Sequence, residues 1–208
     1  MVGYSEAPYD SQRHPLDNKL KRLPRFRFPL CQRAGRGILK STLSDAQAIP
    51  PASGTYALLL FCPRSREVHV GRLGPQTISR GWYVYVGSAF GPGGLRARCL
   101  RHLRPLRRRR WHIDYLRSAA ALQGIWFSGD PVPREHLWAE IIDGMEGATA
   151  PIRRFGSGDC RCPSHLFRFW PRPSFSAFRQ QALHRLPAHG PISAFSVGTP
   201  RQARRNAL

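Results

Sequence analysis

Gly54-Thr55-Tyr56-Ala57-Leu58-Leu59-Leu60-Phe61-Cys62 becomes an unbroken apolar run after its second residue and stops at Pro63. Its length and composition predict a buried strand over Thr55–Cys62. Pro63-Arg64-Ser65-Arg66 then reads as a turn, and Glu67–Gly71 as an alternating partner strand that closes a hairpin. Leu73–Gly81 is expected to be a loop. The second decisive stretch is Trp82-Tyr83-Val84-Tyr85-Val86-Gly87. It alternates strictly, so Tyr83 and Tyr85 share one face and Trp82, Val84 and Val86 the other. The two stretches place Tyr56 and Tyr85 on neighbouring strands.

Gly91-Pro92-Gly93-Gly94 breaks the chain, and a helix is expected over Leu95–Leu106. Its apolar stripe is Leu95, Cys99, Leu103 and Leu106. At helical spacing His102 falls inside that stripe, and Arg98 falls at its margin one turn earlier. Arg101 and Arg104 point away from it. Trp111–Ala121 reads as a further short helix and Gly124–Ser128 as a strand. Pro133 opens a helix from Arg134 to about Met145. Glu135 borders its stripe of Leu137, Trp138, Ile141, Ile142 and Met145, whereas Glu140 lies opposite and is expected in solvent. Leu166–Phe169 can return as a last strand. Strands followed by segregated helices give a small α+β sandwich.

The chain has 208 residues and a formal net charge of +21, from 33 Lys and Arg against 12 Asp and Glu. Such an excess favours a polyanionic partner. The longest apolar run is too short to span a bilayer, which excludes an integral membrane protein. The first twenty residues lack the hydrophobic region of a secretory signal. Five cysteines without framework spacing imply reduced thiols and a cytoplasmic protein. Composition divides the chain into a basic, flexible extension over 1–50, an ordered domain over 53–170, and a basic tail over 171–208 with a short helix expected near Phe178–Leu186.

Asp159, Cys160, Cys162 and His165 form a compact cluster. The C-x-C pair is narrower than structural zinc usually uses, and a fourth ligand would have to come from Asp159 or a distant cysteine. The segment is therefore read as a tight glycine-rich turn, and zinc is not expected. Trp111-His112-Ile113-Asp114-Tyr115-Leu116 reads as a relay or a hydrogen-bonded brace beside the site, the brace by preference because nothing there supplies a nucleophile pattern. No phosphate-binding loop, nucleophile elbow or H-E-x-x-H is present.

Gly54-Thr55-Tyr56 and Tyr85-Val86-Gly87, followed by Arg98 and Glu135, resemble the GIY-YIG nuclease superfamily. The closest likeness is to a prokaryotic branch with segments matching Tyr83–Ala89, Arg101–Arg104, Trp111–Leu116 and Gly158–Phe167. The resemblance covers residues 53–170. Thr55 and Val86 stand where isoleucine is usual, Gly91–Gly94 absorbs a few extra residues, and an asparagine found late in many relatives has no match.

The resemblance implies a small α/β sandwich with a central three-stranded antiparallel sheet flanked by helices. It also implies endonuclease chemistry on DNA or structured nucleic acid, supported by Mg²⁺ or Mn²⁺. On that pattern Tyr56 and Tyr85 are the paired tyrosines, Arg98 the catalytic arginine, His102 a relay position, and Glu135 the metal ligand. One tyrosine, Tyr56 by preference, would help deprotonate the attacking water, lowered in pKa by nearby positive charge. Arg101, Arg104, Arg107, Arg108, Arg109 and Arg110 would hold the nucleic-acid backbone. The missing asparagine favours the alternative, a catalytically weak nucleic-acid-binding module of the same fold.

Overall fold

The computed structural model describes residues 46–106 and 108–197. In chain order the elements are β1 (Thr55–Cys62), β2 (Arg66–His69), β3 (Pro75–Ile78), β4 (Gly81–Ser88), α1 (Gly94–Leu103), α2 (His112–Leu116), β5 (Ala121–Ser128), α3 (Glu135–Asp143), β6 (Leu166–Phe169), α4 (Phe175–Arg185) and β7 (Ser193–Ser196). The class is mixed α/β, with an antiparallel sheet of order β6-β4-β1-β5-β7. The sheet has five strands rather than the expected three. β6 and β7 extend a β4-β1-β5 centre by four residues each.

β1 is buried at all eight positions because both faces of the sheet are covered there, and both of its edges are paired, to β4 and to β5. That pairing overturns the expected Thr55–Cys62/Glu67–Gly71 hairpin. β2 pairs instead with β3, inside the stretch read as a loop, as a separate two-stranded sheet. Alternation specifies which face a residue occupies and says nothing of which strand lies beside it.

The sheet separates two apolar layers. Tyr56, Leu58, Leu60, Tyr83 and Tyr85 pack with Leu95 and Cys99 of α1 and Ile113 and Leu116 of α2. Ala57, Leu59, Val84 and Val86 pack with Trp138, Ile141 and Ile142 of α3 and Phe178 and Ala182 of α4. α1 stops three residues short of its expected end. Arg104 is already extended (ψ 155°), as the residue before Pro105 must be. α2 is likewise shorter, because β5 begins at Ala121.

Both expected domain limits fall inside the fold. Ala46 and Ile49 are buried, and the incoming chain caps α1: Leu95 N–H donates to Ala52 O (2.9 Å) and Arg96 N–H to Pro50 O (3.1 Å). These bonds satisfy helix donors that no side chain caps. Residues 1–45 of the flexible extension expected over 1–50 lie outside the described residues. At the other end, the helix expected near Phe178–Leu186 is present as α4 and packs into the fold, so the tail is not separate from the domain. Ser174 Oγ caps α4 by accepting from Ala177 N–H at 3.3 Å. Phe178 stacks on Trp126 and meets Trp138 edge-on. No helix among the described residues is long and apolar enough to cross a membrane.

Candidate active site

The antiparallel register brings the two tyrosine motifs to the same end of the sheet. Tyr56 lies directly opposite Gly87, and Tyr85 opposite Leu58, so both phenol rings lie on one face. The two glycines follow from close approach. A Cβ on Gly87 would lie 2.6 Å from the Tyr56 ring and hydroxyl, and one on Gly54 would lie 2.1 Å from Ser128 O.

Tyr56, Tyr85, Arg98 and Glu135 all line one open cleft of about 720 Å³. Four elements deliver them, β1, β4, α1 and α3. Thr55, on the opposite face from Tyr56, accepts a hydrogen bond from Arg134 N–H at 3.0 Å. That bond ties the start of α3, and hence Glu135, to β1; an isoleucine at 55 could not make it. Asp130 steadies the same turn by pairing with Arg134 at 3.0 Å. Burial raises the Asp130 carboxyl, but Gly190 N–H, Arg134 and Val132 N–H outweigh it and bring it down to about 2. Glu140, as expected, faces solvent, where it pairs with Arg185 at 2.8 Å.

Arg98 stacks over the Trp111 ring at 4.6 Å, and no carboxylate pairs with it among the described residues. Trp111 is fixed by the expected brace. Asp114 is fully enclosed and takes both arms of Arg101 (3.0 and 2.6 Å) together with Arg110 N–H (2.8 Å) and Trp111 N–H (3.0 Å). Burial raises the Asp114 carboxyl, and these donors more than reverse the effect. Arg101 is thereby committed to the brace and is not free to hold a nucleic-acid backbone, contrary to expectation. Arg104 and Arg108 are exposed but do not line the cleft, and Arg107 lies outside the described residues. Of the expected arginines Arg110 does line the cleft with Arg98, and Arg72 joins them. Arg72 was invisible to sequence reasoning, since it comes from a turn between β2 and β3 with no motif.

His102 lies behind Tyr56 rather than in the cleft. It is 1 % exposed, and its Nε2 is 3.1 Å from the Tyr56 hydroxyl; Nδ1 has no partner. Burial first, then Arg117 and Arg101, pushes its pKa down to about 3, so the ring is neutral. Tyr56 and Tyr85 are themselves almost fully buried, and burial raises both phenols well above their ordinary value. Arg98 opposes that rise on each of them and Glu135 adds to it. The expected lowering of the Tyr56 pKa by nearby charge does not occur, because desolvation exceeds the pull of one guanidinium.

A pH effect follows from His102, which faces Tyr56, Trp111, Arg98, Arg101, Arg117 and Asp114. Its folded pKa lies below the unfolded value of about 6.5. The unfolded chain therefore takes up a proton that the folded chain refuses, and stability falls as pH drops below about 6.5 toward the folded pKa. Between pH ~6.5 and ~4.5 this group should remove about 2–3 kcal/mol, at ~1.36 kcal/mol per pKa unit. Urea unfolding at the two pH values should show His102→Gln losing correspondingly less than the wild type. Equal losses in both would refute the assignment.

His112 of the brace segment also lines the cleft. Its Nδ1 accepts from Gly156 N–H at 3.2 Å, which leaves the proton of the neutral ring on Nε2. Burial lowers its pKa. His165 and Asp159 also line the cleft, and His165 Nδ1 is 3.0 Å from Glu135 Oε1. The Cys160, Cys162 and His165 cluster gains His136 of α3 as its fourth member, in place of the expected Asp159.

A family model described as a domain of unknown function, DUF123, matches residues 55–188. No curated protein and no solved structure matches the chain.

Proposed function

The chain belongs to the DUF123 family, whose description assigns no activity, and from its cleft we propose that it hydrolyses phosphodiester bonds in nucleic acid, DNA by preference, as a GIY-YIG-type endonuclease of the prokaryotic cytoplasm. The observation that carries this reading is the convergence of Tyr56, Tyr85, Arg98 and Glu135 on one cleft, with Arg72 and Arg110 beside them.

A divalent ion fits the donor set. Mg²⁺ is commonly held by a carboxylate or two, with waters and substrate phosphate completing its shell. Glu135 is that carboxylate, 21 % exposed in the cleft. When bound, the ion would act as a Lewis acid toward the phosphate and steady the leaving oxygen. The rest of the chemistry belongs to the chain. Arg98 presents a planar fork to the scissile phosphate, pre-set by its stacking on Trp111. His112 offers Nε2–H to a phosphate oxygen.

Neither Tyr56 nor His102 is a ready base alone, since one phenol is held protonated and the imidazole is a poor proton acceptor. The pair works as a relay. The Tyr56 oxygen takes the proton of the attacking water while its own proton passes to His102 Nε2. The water oxygen bonds phosphorus, and the bond to the leaving alkoxide breaks. A phosphate bound beside the pair supplies the negative charge that favours a cationic His102.

The test is nicking of supercoiled plasmid with Mg²⁺ or Mn²⁺. Wild type should nick, and chelation should stop it. Tyr56→Phe, which keeps the ring over Gly87, should slow it by about 10²–10⁴-fold, the range of general acid–base catalysis. Equal residual nicking by wild type and Tyr56→Phe would sink the proposal. The burial of both hydroxyls favours a second reading, a binding module that does not cleave. That reading expects salt-steep, sequence-indifferent binding with no nicking.

A further inference from the structure

We propose that His136, Cys160, Cys162 and His165 form a closed, four-coordinate zinc centre in the wall of the cleft. Their ligand atoms all lie within 4.8 Å of one another. His136 Nδ1 is 3.2 Å from Cys162 Sγ, and Cys160 Sγ is 3.5 Å from His165 Nε2. A tetrahedron with bonds of about 2.0–2.3 Å has edges of about 3.3–3.8 Å, so these pairs need little movement to share an ion. Both cysteines are free thiols. Two sulfurs and two imidazoles suit zinc and do not suit Mg²⁺. Four protein ligands leave no open position, which makes the centre structural rather than catalytic.

The loop that carries the thiols is shaped from outside the cluster. Arg154 adopts φ 64°, its N–H donates to Pro163 O at 2.7 Å, and its guanidinium holds the carbonyls of Gly158 and Cys160. His165 is pinned to the sheet by His165 N–H to Phe155 O and Val86 N–H to His165 O, each 2.9 Å.

A second observation points to an ion. His165 is 1 % exposed, and its Nδ1 sits 3.0 Å from Glu135 Oε1 without the angle of a hydrogen bond, so the atom is buried and unpartnered. An ion on Nε2 places the ring proton on Nδ1, and a small rotation then gives it to Glu135. A carboxylate behind a zinc-bound histidine fixes the ring and strengthens the ligand. Glu135 thus joins the centre to the cleft.

The experiment is elemental analysis of the full chain purified under reducing conditions without chelator. Wild type should carry zinc at one ion per chain, and Cys160→Ser/Cys162→Ser should lose it. Asp159→Asn should keep it. Glu135→Ala should weaken zinc by about 10–100-fold in competition with a chromophoric chelator. Reconstituting stripped wild type with Co²⁺ should give the visible absorption of tetrahedral thiolate-bound cobalt, a readout that needs no variant to fold. Unchanged zinc in the double variant would overturn the centre. So would wild type that lacks zinc and gives no cobalt–thiolate bands. None of these readouts uses cleavage, so the centre and the nuclease reading can fail separately.

Discussion

Arg98→Ala is expected to lower the single-turnover cleavage rate by about 10²–10³-fold, the usual loss when one pre-positioned charge donor to a transition state is removed. Arg98 lines the cleft, stacks on Trp111 at 4.6 Å and has no carboxylate to neutralise it among the described residues. Its charge is therefore available to the phosphate, and its plane is already set. Arg98→Lys keeps the charge but gives up the fork and the stacking, so it should fall between alanine and wild type. Binding should change far less than rate, with the slope of log affinity against log salt falling by about one contact. An Arg98→Ala variant that cleaves at the wild-type rate would remove Arg98 from the mechanism. A wild type that binds steeply with salt and never cleaves would leave only the binding module.

The sequence carried the faces of the elements better than their neighbours. The strict alternation of Trp82–Gly87 correctly separated Tyr83 and Tyr85 from Val84 and Val86. Helical spacing put His102 inside and Glu140 in solvent, because burial of a stripe is a local property of periodicity. Strand partners are not local. The uninterrupted apolar run after Thr55 describes a strand covered on both faces and leaves its neighbours open, so the adjacent Glu67–Gly71 is read as its partner by proximity alone. Arg101 was correctly turned away from the sheet, but only the fold shows that Asp114 waits on that side. His136 was missed for the same reason. It precedes Cys160 by 24 residues and occupies a helix position off the apolar stripe, so no spacing rule links it to the thiols.

Asp114→Ala should produce the largest loss of stability, about 3–5 kcal/mol, because it strands the part-buried Arg101 guanidinium together with the N–H groups of Arg110 and Trp111. For a domain of this size that corresponds to a fall in Tm of about 6–20 °C. The carboxylate is fully enclosed and accepts four hydrogen bonds, two from the Arg101 guanidinium and two from the N–H groups of Arg110 and Trp111. Two contributions can be separated. Replacing the pair by apolar groups, as Arg101→Met/Asp114→Leu, removes the stranded charge and should recover part of the loss. It cannot recover all of it, since the two backbone donors remain unsatisfied at about 1–3 kcal/mol each. Full recovery in the double variant would show that the backbone bonds contribute nothing. The recovered fold should still cleave poorly, because Trp111 would have lost both the Asp114 bond to its N–H and the Arg101 guanidinium 3.7 Å above its ring, and Arg98 stacks on that ring. Stability restored with activity absent is the outcome that separates a brace that merely holds the fold from one that aims the arginine.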